Sequence, residues 1–183
     1  AGDKGQGTRE RKEPRPATVA DRWILSRLQR TVERVTASLD EFFFNDAATT
    51  LYDFLWHDFC DWYLEVSKVQ LAQRTGNNGQ RTTVEILRHI LETSLRLLHP
   101  VMPFVTEELW QHLRGVQPRT SIMIAAWPKP NAKLADTKAE AQFERLKAVI
   151  GAVRNIRSEL NVPLESRPAV RLMAKQPEVR AFF

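Results

Sequence analysis

The 183-residue sequence predicts an all-α fold, a bundle of about five helices with a small strand-containing portion at its C-terminal end. Three observations point there. Apolar residues recur at three- and four-residue steps over long stretches, the period of one helix face. Residues suited to capping free amides stand at the head of those stretches. Proline and glycine clusters fall between them, where they end helices or turn the chain.

Residues 1–17 mix Gly, Lys, Arg, Glu and Pro with alanine as the only apolar type, so they cannot supply a buried face and are expected to be a flexible linker. The helical bundle is expected over residues 18–133. Thr18, with Asp21 three positions on, suits a helix start, and Ile24, Leu28, Thr31, Val35 and Leu39 follow at helical spacing. After a break at residues 41–44, Asn45 or Asp46 can cap a second long helix with the stripe Ala48, Leu51, Leu55, Phe59, Trp62 and Val66. Phe54, Trp56 and Tyr63 widen that stripe, as in a helix with several neighbours. Gly76-Asn77-Asn78-Gly79 predicts a turn.

The third helix is expected to start near Thr82, to carry Val84, Leu87, Leu91, Leu95 and Leu98 inward, and to stop before Pro100, which disfavours helical geometry at His99. Pro103 can open the next segment, and Thr106 with Glu107 and Glu108 suits a helix start, Leu109 and Leu113 pointing inward. Residues 121–127 form a β-prone run inside a proline-containing connection. Residues 134–183 are expected to hold one more long helix and the start of a small α/β appendage. The helix, about 137–160, aligns Phe143, Leu146, Ile150, Val153 and Leu160 until Val162-Pro163 ends it, and 169–173 is a candidate strand. The apolar close at Phe182-Phe183 suggests a segment of a longer protein.

Lysine and arginine number 27 against 22 acids, a net charge of +5, which favours an anionic partner without requiring one. Residues 1–17 hold five bases and three acids, leaving +3 for the rest, so any nucleic-acid footprint must be local. The single cysteine, Cys60, excludes an internal disulfide and a multi-cysteine zinc site, and its apolar helical setting suggests an inert thiol in a reducing cytoplasm. No apolar run approaches the roughly 18 residues of a membrane span, so no membrane partner is expected.

Catalytic patterns are missing. His57, His89, His99 and His112 have no metal-ligand spacing, and no phosphate-cradling glycine loop or nucleophile elbow occurs. The carboxylate pairs Glu107-Glu108 and Asp58 with Asp61 fit helix-dipole and surface roles. Neither a catalytic nor a metal site is expected.

The cations divide by helical spacing. Arg81, Glu85, Arg88, Glu92 and Arg96 alternate in sign at steps that let neighbours pair, so that face is solvated. Arg27, Arg30 and Arg34 instead share one stripe, where like charges cost about 0.2–0.5 kcal/mol per pair unless an anion lies alongside. A phosphate would relieve the repulsion, and so would an acid elsewhere in the fold. Lys147, Arg154 and Arg157, with Asn155 able to meet a base edge, make a second candidate RNA-binding patch. Trp23, Trp56, Phe59, Trp62, Tyr63 and Trp110 have apolar neighbours at helical spacing, so core packing is expected of each before base stacking.

Two pairs of motifs then carry a resemblance. Phe44-Asn45-Asp46-Ala47-Ala48 runs into Phe59-Cys60-Asp61-Trp62-Tyr63-Leu64-Glu65, and His99-Pro100-Val101-Met102-Pro103-Phe104 into Glu107-Glu108-Leu109-Trp110. In order, spacing and residue type they resemble the helical anticodon-binding domain of the valyl-tRNA synthetases, within the class I aminoacyl-tRNA synthetases. Residues 20–28, Trp110-Gln111, Ala126-Trp127-Pro128 and Arg154-Asn155-Ile156-Arg157 agree, and isoleucyl-type enzymes are the nearest competitor. The resemblance implies a cytoplasmic, monomeric protein whose partner is the anticodon stem-loop of tRNA, not DNA. It implies ATP and Mg in a catalytic part elsewhere in the parent enzyme, since His-Ile-Gly-His and Lys-Met-Ser-Lys-Ser motifs do not occur here. The alternative from a different class is a helical protein-interaction module.

Overall fold

A computed structural model describes residues 14–72, 76–114, 120–163, 165–171 and 173. The helices are α1 (Val19–Asp40), α2 (Phe44–Asp53), a π-helical segment (Phe54–Tyr63), α3 (Leu64–Ala72), α4 (Gly76–Leu98), α5 (Pro103–Arg114) and α6 (Thr137–Glu159). Because α2, the π segment and α3 follow without a break, the described residues form five rods, and the all-α class holds. The chain divides into two compact units, Ala1–Glu144 and Arg145–Phe183.

The start of α1 follows from its first residues. Thr18 Oγ1 accepts from the Asp21 amide at 3.1 Å while Asp21 Oδ2 accepts from the Thr18 amide at 2.9 Å, the reciprocal capping that their spacing predicts. Asp21 is buried, and its other oxygen accepts from Tyr63 Oη at 2.9 Å and Gln70 Nε2 at 3.3 Å. Gln70 Oε1 in turn accepts from Thr83 Oγ1 at 3.2 Å, so one polar chain joins α1, the π segment, α3 and α4. Burial, reinforced by the Asp21 charge, pushes the Tyr63 phenol far up, so it donates at any physiological pH.

Ile24, Leu28, Thr31 and Val35 are buried as their spacing predicts. The second rod departs from expectation. Its buried residues are Ala47, Leu51, Phe54 and Asp58, then Tyr63 and Ser67. The steps are four, three and four residues, then five, then four. A π turn closes over five residues, so the inward stripe slips by one position across Phe54–Tyr63. Ala48 faces out, because Ala47 and Leu51 set the phase of α2; Leu55, Phe59, Trp62 and Val66 are only half-buried, and Trp56 is exposed. The capping expectation also changes: Asn45 and Asp46 lie in the first turn of α2, whose N-cap is Phe43 with no side-chain bond.

In α4 the tetrapeptide Gly76-Asn77-Asn78-Gly79 is the first helical turn and not the connection, so the helix starts six residues before Thr82; the connection falls on residues 73–75, outside the described residues. Thr83, Ile86, Ile90, Thr93 and Leu97 are buried, while Val84 is exposed because the stripe is set one step earlier than its apolar type suggests. Helix α5 begins at Pro103, and Thr106 is inside it, donating to Met102 O at 2.8 Å. His99 Nδ1 lies 2.7 Å from Thr106 Oγ1, within hydrogen-bonding distance. Trp110 takes the buried position expected of Leu109, which is exposed, and Leu113 packs with Leu95, Trp110 and Ile122.

No strand occurs among the described residues, so the strand-containing portion is not seen. In the β-prone run, Ser121 Oγ caps a single 3-10 turn at Ile122–Ile124, accepting from the Met123 amide at 3.1 Å. Residues 169–171 and 173 have no regular structure; 172 lies outside the described residues. Glu107 ties this turn to α5, accepting from Gln111 Nε2 at 2.5 Å, Ser121 Oγ at 2.7 Å and the Ile122 amide at 3.1 Å. The bonds from Gln111 and Ser121 hold its carboxyl below the ordinary carboxylate range. A depressed folded-state pKa means stability present above pH about 4.5 and lost as pH falls toward the folded value. Glu107→Gln should therefore flatten the decline of Tm below pH about 4.5, measured by thermal melts across pH.

The first residues of α6 close the core of the first unit. Phe143 is fully buried, stacked on Trp23 at 4.0 Å and edge-on to Trp62 at 6.2 Å. The helix ends where Val162-Pro163 predicts. Val162 N donates to Arg157 O at 2.9 Å and Asn161 N to Ser158 O at 3.1 Å, with Asn161 left-handed at φ 49°. Leu160, expected inward, is exposed at this terminus. Helix α1 ends in the same motif: Phe43 N donates to Ser38 O at 2.7 Å and Phe42 N to Leu39 O at 3.1 Å. Here the left-handed residue is Phe42, at φ 62°. Asparagine adopts that conformation readily, whereas a bulky residue pays about 1–2 kcal/mol in clash between Cβ and carbonyl.

Candidate nucleic-acid interface

Arg27, Arg30 and Arg34 follow one another at three- and four-residue steps on α1, and the fold brings all three to one cavity of about 370 Å³ between α1 and the α2 rod. Thr31, Asp46, Thr49, Thr50, Asp53 and Phe54 complete its lining. Two of the cations have acids from elsewhere in the fold, which changes the picture of an unrelieved stripe. Arg27 Nε meets the buried Asp58 at 2.7 Å and Arg30 Nε meets Glu140 at 2.9 Å, Glu140 also accepting from Ser26 Oγ at 2.5 Å. Among the described residues Arg34 makes no hydrogen bond or ion pair. The walls therefore offer arginine donors to phosphate or base oxygens and Asp46 and Asp53 as acceptors for exocyclic amines.

The second candidate patch lies in the second unit. Asn155 and Arg154 are exposed, and Lys147 is half-buried. Arg157 turns back on the end of α6, Nη2 donating to Pro163 O at 2.9 Å and Ser166 O at 3.2 Å. Its guanidinium holds the helix terminus as well as presenting charge.

Arg81 pairs with Glu85 at 2.9 Å and Arg88 with Glu92 at 3.0 Å, as their alternation predicts, whereas Arg96 donates to Ala126 O at 3.0 Å. The carboxylate pairs have structural partners: Asp58 holds Arg27, Asp61 faces His57 at 3.3 Å, and Glu107 holds the 3-10 turn. Burial first, then the Asp61 charge, raises the Cys60 thiol, which stays protonated at neutral pH. Among the described residues no group of three His, Cys, Asp or Glu is placed to hold a metal ion, and no helix is long and apolar enough to cross a membrane.

Of the aromatics expected in the core, Trp23, Tyr63 and Trp110 are there. Trp56 is not: it lies parallel to exposed Tyr52, centroids 6.2 Å apart and planes within 4°. Two features of this surface were missed in the sequence, the exposed Phe42-Phe43-Phe44 corner and the aspartates in the arginine cavity. The run of three phenylalanines beside a helix end was the available signal for the first.

The described residues form a helical bundle with an arginine-lined cavity on its first helix. Residues 21–172 match the model of the anticodon-binding domain of tRNA ligases, and the chain belongs to that family. It is 44% identical over 164 residues to the valine–tRNA ligase of Bacillus anthracis, which covers 90% of this chain and 18% of that protein. The valine–tRNA ligase of Thermotoga maritima is 49% identical over 150 residues, 82% of this chain and 17% of the relative. That of Listeria monocytogenes is 47% identical over 152 residues, 83% and 17%. The chain thus spans less than a fifth of the length of these relatives.

Proposed function

We propose that this chain holds the anticodon stem-loop of a valine-accepting tRNA, as the anticodon-binding part of a valine–tRNA ligase. The observation that carries the proposal is the arginine-lined cavity on α1, with Arg34 unengaged among the described residues. Arginines there would neutralise phosphates and fix the register of the RNA, while the cavity and its aspartates admit a base displaced from the loop stack. Lys147, Arg154, Asn155 and Arg157, in the second unit, are a separate candidate RNA contact.

On this reading the chain positions the RNA and forms no ester bond. Activation of valine, with ATP and Mg, falls to the catalytic part of the parent, and the protein works in the cytoplasm. A protein-contact reading has its own support at the start of α5 and the turn before it, where Val101, Met102, Phe104, Val105 and Leu109 are exposed.

Titration of labelled valine tRNA, beside a copy with an altered anticodon, over a salt series separates the two. Tight binding of the native anticodon, with log K falling linearly in log salt, is the expected result. Absence of binding at every salt concentration rejects the RNA reading.

A further inference from the structure

Asp58 takes an inward position of the second rod, in line with Leu51 and Phe54, and is only 6% exposed. A buried carboxylate loses its hydration, and a well-packed apolar side chain in such a place is commonly as stabilising as a buried ion pair, so stability alone does not account for an acid here. Its Oδ2 accepts a single hydrogen bond from Arg27, given by Nε at 2.7 Å. The Arg27 side chain is 39% exposed and lines the α1 cavity. Pinned at Nε, the planar guanidinium has its orientation fixed, while the bond to Asp58 leaves Nη1 and Nη2 to a ligand. Glu140 of α6 makes the same attachment to Arg30, taking its Nε at 2.9 Å. Arg34 lines the same cavity and has no such acid among the described residues.

We propose that Asp58 is a positioning residue for RNA recognition, fixing the Arg27 guanidinium in the orientation in which its Nη groups meet the anticodon loop. The assignment rests on the tRNA-binding reading above and adds to it that the acid works through the arginine, without touching RNA. An arginine held in advance has less rotamer freedom to lose on binding, so its contact gains affinity and direction. A carboxylate without this role would act on RNA only by repulsion. The two roles have opposite signs. Loss of the negative charge strengthens RNA binding if Asp58 is a bystander and weakens it if Asp58 aims Arg27.

The test is a double-mutant cycle of Asp58→Ala and Arg27→Ala in this chain, titrated at constant salt with an RNA hairpin of the valine tRNA anticodon stem-loop and with an altered-anticodon copy. Asp58→Ala makes the chain more positive, yet its affinity for the native hairpin should fall about fivefold, with a smaller preference over the altered copy. In the Arg27→Ala background the same substitution should change affinity by less than about twofold, because the arginine it positions is gone. Equal losses in both backgrounds mean damage to the bundle and overturn the positioning role. Affinity unchanged or raised by Asp58→Ala alone overturns it as well, with the tRNA reading intact. No binding by the native chain overturns both together. Thermal melts accompany every variant, and should Asp58→Ala not melt cooperatively, Asp58→Asn, of nearly the same shape, runs the same cycle with the same outcomes.

Discussion

Trp23→Ala should lower the unfolding free energy by about 3–5 kcal/mol, a large share of the 5–15 kcal/mol typical of a domain. Trp23 is fully buried in α1, and its indole lies at 4.0 Å and 18° on Phe143 of α6, which also receives Trp62 edge-on. Truncation removes the apolar area of the indole and leaves a cavity between rings that belong to three different rods, which cannot all move in to fill it. For a protein of this size the loss corresponds to a fall in Tm on the order of 10 °C. Trp56→Ala provides the contrast, because Trp56 is exposed and its ring lies parallel to that of exposed Tyr52, so its cost should stay within about 0.5 kcal/mol. Denaturant unfolding followed by circular dichroism measures both. Equal costs for the two tryptophans would refute the assignment of Trp23 to the core and Trp56 to the surface.

Those two residues also mark what the sequence made legible. Around Trp23 the period of α1 is unbroken, its cap is a local exchange between Thr18 and Asp21, and every expected inward residue from Ile24 to Val35 is buried. Trp56 sits in the π segment, where the five-residue step from Asp58 to Tyr63 shifts the phase of the helix. Counting at 3.6 residues per turn cannot anticipate that step, so it puts Trp62 and Val66 inward where Tyr63 and Ser67 are buried. Val84 and Leu109 show that apolar type alone does not mean burial, since the buried stripes run through Thr83 and Trp110. Arginine spacing placed three cations at one cavity, since i, i+3 and i+7 share a face. The partners of Arg27 and Arg30 lie 31 and 110 residues away in sequence, and only the packing of the rods brings them close.

Replacing Arg27, Arg30 and Arg34 together by alanine should weaken tRNA binding on the order of a hundredfold at low salt, given about 1.5–3 kcal/mol per charge-assisted hydrogen bond and incomplete additivity. The slope of log K against log salt should flatten by about two to three, one phosphate contact per arginine. The three positions are unequal in what else they do. Arg27→Ala deprives the buried Asp58 of its guanidinium at 2.7 Å and should cost about 1–3 kcal/mol of stability. Arg30→Ala leaves Glu140 with Ser26 as partner, a smaller loss. Arg34→Ala removes no hydrogen bond or ion pair among the described residues, so its stability should stay within about 0.5 kcal/mol of native while the salt slope drops by about one. This single variant therefore separates RNA contact from fold maintenance, and circular dichroism confirms that helicity is kept in all of them. Affinity and slope both unchanged in the triple variant would remove the α1 face from the interface. The cation-bearing surface of α6, with Lys147, Arg154, Asn155 and Arg157, would then be the one to substitute.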